Sequence, residues 1–258
     1  MTRRHLNLGV IQRILGLLLM LFSVSMLVPA AVSLLYGDGQ FDLFLDAFAI
    51  VLVAGLLAWV PARRSTGDLR LRDGFLVVAL FWSVIGVAGA VPFFLADVPR
   101  MTFTEAVFES VSGFTTTGAT VLVGLDALPP SILYYRAQTQ WLGGIGIVVL
   151  AVALLPLLGI GGMQLLKAET TGPMKEAKLT TRITGTAKAL WLVYLMLTIA
   201  GVFAYWVAGM SLFDAVGHSF SAVSTGGYSS HDASIGYFAS PTIQRVTLGP
   251  MTLGAASH

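Results

Sequence analysis

Residues 114–120 read FTTTGAT and residues 223–229 read VSTGGYS, two stretches that gather small hydroxyl side chains around glycine. The chemistry such a stretch can do belongs to its main chain. Glycine permits backbone angles that aim successive carbonyl oxygens inward, and a ring of carbonyls can replace the hydration shell of a dehydrated cation. Threonine and serine are small enough to point away without filling the path. Thr115, Thr116, Thr117 and Gly118 in the first stretch, with Ser224, Thr225, Gly226 and Gly227 in the second, are therefore the candidate cation ligands.

Ligands of this kind need elements that hold them away from water. The chain is 56% hydrophobic and 11% charged, with mean hydropathy +0.82, far from the averages of soluble domains. It reads as an all-α integral membrane protein. Apolar runs occupy 14–36, 43–61, 75–96, 141–160 and 189–208, each near the ~20 residues that cross a bilayer as a helix. The first is too long for a signal sequence and is expected to remain as an uncleaved helix. Arg3, Arg4 and Arg13 precede the first run; Arg63, Arg64, Arg70 and Arg72 follow the second; Lys167, Lys175, Lys178, Arg182 and Lys188 lie between the fourth and fifth. Basic residues on alternate sides of successive spans put the N-terminus and those two loops in the cytoplasm. Asp38, Asp42, Asp97, Glu105, Glu109, Asp126, Asp214 and Asp232 fall toward the outer side, which should concentrate cations. Cysteine is absent, so disulfides, thiolate metal sites and cysteine nucleophiles are excluded.

The two stretches belong to a repeat. FTEAVFESVSGFTTTGAT (103–120) lies without a gap on LFDAVGHSFSAVSTGGYS (212–229) at an offset of 109 residues. Each copy follows a span that leaves on the outer side, and each begins with an amphipathic segment of about ten residues, too short to cross. Such a segment is expected to be a re-entrant helix. Irregular backbone inside a bilayer is tolerated only where protein buries it or water reaches it, so the loops should use their carbonyls on an ion. The short helices would turn their partially negative C-terminal ends toward it. A plainer reading, polar turns outside the membrane, accounts less well for a duplication with a span before each copy.

Other chemistry is weaker. Glu109, Ser110, Ser112 and Gly113 with His218 and Asp232 could be arranged as a serine hydrolase, but histidines occur only at 5, 218, 231 and 258, near termini or re-entrant segments. The chain is not expected to be an enzyme or to carry a cofactor. His218, Glu109 and Asp214 are expected to tune the potential of the outer mouth or to cap helices. Gly143, Gly144 and Gly146 open a long apolar run; they fit close helix packing or a bend that gates. Arg136, Gln138 and Gln140 begin the same helix and default to pathway or packing partners.

At these residues the sequence resembles the Trk/Ktr superfamily, the membrane subunits of bacterial potassium uptake systems. The resemblance rests on FESVSGFTTTGAT, QTQWLGGIGIVVLAVALLPLLGIGGMQLLKAE, FDAVGHSFSAVSTGGYSSHDASIGYF and SPTIQ, and runs to about Gln244. It implies a leading helix pair (1–66) and then repeats of outer helix, pore helix with filter loop, and inner helix, four of which line one K+ path. The first repeat would be 67–165 and the second 166–244, without its inner helix. Residues 245–258 then read as an aberrant tail, and the stretch from about Ser240 is expected to be disordered or splayed. The resemblance also implies that Thr115–Gly118 and Ser224–Gly227 are filter segments, that the inner helix gates at Gly143, Gly144 and Gly146, and that potassium is the bound and transported ion. It implies a homodimer in the bacterial inner membrane with a cytosolic nucleotide-binding regulatory ring, and no nucleic acid partner. Two loops would supply half of a four-part ring. The chain is thus expected to be the N-terminal half of a transporter or, alternatively, a truncated non-conducting protein that associates with other subunits.

Overall fold

The computed structural model describes residues 7–66, 71–154 and 174–247. Its regular elements are helices: α1 (Leu8–Ser25), α2 (Leu27–Tyr36), α3 (Phe41–Ala62), α4 (Leu71–Ala88), α5 (Val91–Leu95), α6 (Phe103–Phe114), α7 (Pro130–Leu154), α8 (Met174–Val207) and α9 (Leu212–Val223), with single 3-10 turns at Leu125–Ala127 and Ser234–Phe238. Among the described residues 4 stretches are long and apolar enough to cross a membrane: Leu8–Tyr36, Phe41–Ala62, Asp73–Leu95 and Gly185–Val207. Four of the predicted runs fall on them, and the chain is a multi-pass membrane protein. The remaining run, 141–160, begins within α7 and ends outside the described residues.

The chain divides into two compact units. The first holds the described residues through Phe114 together with 119–139 and 230–232. Here α1 and α3 run antiparallel and touch backbone to backbone at two glycines. A Cβ on Gly16 would lie 2.8 Å from the Gly55 carbonyl oxygen, and one on Gly55 would lie 3.0 Å from the Gly16 oxygen. Only glycine allows this approach, which substitutes close packing for a hydrophobic drive that lipid cannot supply. Gly37 ends α2 in the left-handed region, φ 64°. Asp38 follows and accepts hydrogen bonds from the Ser33 hydroxyl, the Gln40 N–H (3.2 Å) and the Ser131 N–H (2.8 Å). One carboxylate therefore ties the α2–α3 turn to the start of α7. Burial raises its pKa, but these hydrogen bonds outweigh burial and hold it below the ordinary value.

Pro92 interrupts what the sequence presents as one helix over 75–96. α4 ends at Ala88 and α5 begins at Val91, because a proline in the first turn lacks the N–H an uninterrupted helix would need. At this break the Gly89 carbonyl accepts the Tyr135 hydroxyl (2.8 Å). The fully buried Tyr135 ring packs on Phe44 and Phe93, centroids 5.7 and 5.1 Å away. α6 lies on the same break: a Cβ on Gly89 would come within 2.6 Å of Ser110 Oγ.

The second unit holds 115–118, the described residues of 140–229 and those from 233. Ser211 caps α9 by accepting the Asp214 N–H (3.1 Å). Trp141 of α7 stacks on Phe220 of α9 at 5.1 Å and donates from Nε1 to Thr198 Oγ1 (2.9 Å). Ser219 donates to the Thr198 carbonyl (2.8 Å), so α7, α8 and α9 share one polar node in an apolar setting. Tyr205, Met210, Ala215, Ala222 and Ile243 form the neighbouring core.

That last residue corrects an expectation. The chain from about Ser240 is not unstructured: 241–247 are helical, Ile243 is 3% exposed, and Thr247 Oγ1 donates to the Ile243 carbonyl (2.9 Å). Ile243 and Val246 lie three apart and give one helical face enough apolar surface to dock. The tail expected from 245 is thus part of this helix through 247, and its remainder, 248–258, lies outside the described residues.

Candidate functional site

The repeat is written into the backbone. α6 and α9 are each 12 residues long and their bounds differ by the same 109 residues as the sequence match. Past each helix the chain enters the left-handed region at matching places: Thr116 and Thr225 both at φ 54°, Gly118 and Gly227 at φ 76° and 84°. Residues 117 and 226 between them keep negative φ. Alternation of this kind turns successive N–H groups to one side and hence successive carbonyls to the other. Glycine was foreseen in that role at Gly118 and Gly227. The threonines were not, because a β-branched residue there carries strain of about 1–3 kcal/mol that propensity argues against.

The two loops meet within the second unit. A Cβ on Gly118 would fall on the carbonyl oxygen of Gly226. One on Gly226 would stand 2.5 Å from Gln140 Oε1 and 2.6 Å from its Nε2. Gln140 is fully buried, and its Oε1 accepts the Tyr228 N–H (3.2 Å). Thr225 and Gly226 donate their N–H groups to the carbonyls of Ala222 (3.1 Å) and Ser221 (2.8 Å), closing the last turn of α9. Buried Ser224 donates to Phe220 O (2.8 Å), and Thr115 and Thr117 share a hydroxyl–hydroxyl bond of 2.8 Å. Thr115, Thr117, Thr225 and Gly227 are exposed, Thr116 and Gly118 half-buried, Gly226 buried. The candidate ligands of each loop are thus adjacent, and the loops approach through Gly118 and Gly226.

Glu109, read from sequence as a mouth or capping residue, is fully buried. It pairs with Arg136 at 2.6 Å, accepts Thr120 Oγ1 on both carboxylate oxygens (2.9 Å each), and accepts the Val121 N–H (3.1 Å). It therefore anchors the chain that leaves the first loop. His218, likewise buried, holds Ser229 through Nε2 (3.0 Å) and the Asp214 carbonyl through Nδ1 (2.8 Å). Two charges of opposite sign in one apolar sequence were the available signal for the Glu109–Arg136 pair; their separation of 27 residues concealed it. The His231 ring donates a hydrogen bond from Nδ1 to the Asp126 carboxylate, and Gly124 N–H donates to Asp232 (3.0 Å). The hydrogen bond from His231 is the main cause holding the exposed Asp126 carboxyl below its ordinary pKa.

Gly143, Gly144 and Gly146 lie inside α7, which is helical through all three. Gly144 is a packing glycine: a Cβ there would be 2.5 Å from the Tyr194 hydroxyl and 2.9 Å from Ser224 Cβ.

A family model described as cation transport protein matches residues 41–258. The Trk system potassium uptake protein TrkH of Vibrio parahaemolyticus is 56% identical over 245 residues, 95% of this chain and 50% of that protein. TrkH of Escherichia coli K12 is 55% identical over 236 residues, 92% of this chain and 49% of its own length. The crystal structure of the potassium transporter TrkH from Vibrio parahaemolyticus superposes with a TM-score of 0.81 at 53% identity, over 93% of this chain and 48% of that one. The chain spans about half the length of the curated relatives it matches. With the family model covering most of the sequence and relatives this similar, the chain belongs to the TrkH family of cation transport proteins.

Proposed function

We propose that this chain contributes two of the loops of a potassium uptake path, with K+ as substrate and Thr115–Gly118 and Ser224–Gly227 as its filter segments. The observation that carries the reading is the alternation of φ at Thr116, Gly118, Thr225 and Gly227 in two loops that touch at Gly118 and Gly226. Carbonyls turned to one side of such loops replace ion hydration without any charged ligand. The relatives are potassium uptake proteins, which supplies the substrate of this reading. Two loops provide half of the ligands that the four repeats implied by the resemblance provide, and the full path draws on all four. The path lies in the bacterial inner membrane of a homodimer, with the N-terminus cytoplasmic and the loops opening outward. A cytosolic nucleotide-binding ring regulates opening, and α7 bends near Gly143, Gly144 and Gly146 to gate.

The test is Gly118→Val and, separately, Gly227→Val in a full-length four-repeat protein, read as growth on limiting potassium in cells lacking other uptake systems. Loss of growth with unchanged membrane expression is expected. Normal growth would overturn the reading.

A further inference from the structure

Gly226 is required for a reason different from that of its neighbours. Gly118 and Gly227 have positive φ; Gly226 does not. Its constraint is a side chain: the space where a Cβ would go is taken by the carboxamide of Gln140. At the matching position of the first loop stands Thr117, exposed and bearing an ordinary side chain. The two loops thus differ, TTTG against STGG, at the place where Gln140 enters the second.

Gln140 is held firmly. It is fully buried at the start of the apolar part of α7, and its Oε1 accepts the Tyr228 N–H just beyond the loop (3.2 Å). Its Nε2 has no hydrogen-bond partner among the described residues and lies 3.8 Å from the position a Gly118 Cβ would occupy. One amide therefore bears on both loops, through Gly226 and Tyr228 on one side and Gly118 on the other.

We propose that Gln140 is a specificity-determining positioning residue: its carboxamide, in place of a side chain at position 226, sets the spacing and register of the two loops and so the ion they prefer. This rests on the filter reading above. Carbonyl spacing and number decide which dehydrated cation is matched, so a wedge that fixes the distance between two loops acts on ion preference before it acts on stability.

The experiment is a double-substitution cycle in a full-length four-repeat protein, measuring K+, Rb+ and Na+ uptake with KM and maximal rate resolved, and membrane expression as control. Gly226→Thr alone drives a side chain into the space that the Gln140 carboxamide holds, forces the loop away from it and should lower K+ uptake by about tenfold or more. Gln140→Ala alone should lower K+ uptake less than Gly226→Thr does and shift the K+ to Na+ preference about fivefold or more, with the change in KM. Gly226→Thr with Gln140→Ala should recover most of the K+ uptake that Gly226→Thr loses, because the threonine then occupies the emptied space. If Gln140→Ala does not reach the membrane, Gln140→Met, of similar volume and without the amide, carries the ion-preference arm of the test. An unchanged ion preference in the Gln140 variants, or a double variant as poor as the product of its singles, overturns the proposal. Gly118→Val separates the two failures: uptake surviving that change sinks the filter reading itself, whereas uptake lost there with ion preference unmoved at Gln140 sinks only the role of Gln140.

Discussion

Glu109 and His218 occupy the same position in two matching helices, and each reaches a hydroxyl 11 residues further along the chain: Glu109 takes Thr120 at 2.9 Å, His218 holds Ser229 at 3.0 Å. One brace serves both loops with different chemistry. In the first it is a carboxylate whose charge is met by Arg136; in the second it is an imidazole held between a serine and the Asp214 carbonyl.

Removing one member of the Glu109–Arg136 pair strands the other in an apolar core. Arg136→Met should cost about 3–5 kcal/mol of stability, while Glu109→Gln with Arg136→Met should recover much of it. Thermal unfolding in detergent reads both. A single substitution that changes nothing would show that the pair does not anchor the first loop.

Thr116 and Thr225 hold left-handed angles that a β-branched residue resists. Thr225→Gly should leave stability unchanged or raise it by up to ~1 kcal/mol, strain relief set against the greater freedom of glycine in the unfolded chain. Thr225→Pro, which fixes φ near −65° and deletes the N–H bonded to Ala222, should abolish the loop. Melting temperature and low-potassium growth measure the two.

At Gly144 the packing reading has a direct test. Gly144→Val drives a methyl group into Tyr194 and Ser224, breaks the Tyr194 bond to Trp141 O (3.0 Å), and should cost about 1–3 kcal/mol as an overpacked contact. Tyr194→Phe, which removes the hydroxyl, should soften that cost. Full stability in the valine variant would favour the hinge role instead.

The Asp126–His231 clasp has a pH signature. A carboxyl with a depressed folded pKa contributes stability that is complete above its unfolded value, 3.8, and is lost as pH falls through the lower folded value. Hydrogen exchange at the Gly124 and Asp232 amides, corrected for intrinsic rates, should therefore stay slow down to about pH 4 and rise below it. Asp126→Asn should expose both amides at every pH. Equal protection in that variant would show that Asp126 is not what closes the clasp.

What could be read from the residues alone was whatever depends on local composition or on self-similarity. Continuous apolar runs locate α1 with α2, α3, α4 with α5, and the later part of α8, because a bilayer demands length and greasiness and little else. The offset of 109 marked both short helices and both loops, since a repeat preserves sequence where it preserves backbone. Pro92 breaks its helix at a place that hydropathy alone does not mark, and the helix at 241–247 is hard to see in sequence because its docking face is a single isoleucine and a valine. Beyond that, tertiary structure decided. Glu109 meets Arg136 from 27 residues away, and Gln140 meets Tyr228 from 88; no periodicity links them, because the helices that carry them are brought together only by packing. The same is true of Thr116 and Thr225, whose left-handed angles contradict their own propensity and persist because the contacts around the loops over-determine them. A sequence states which segments can enter a membrane; which buried polar groups find each other there depends on distances between helices, and only the folded chain sets those.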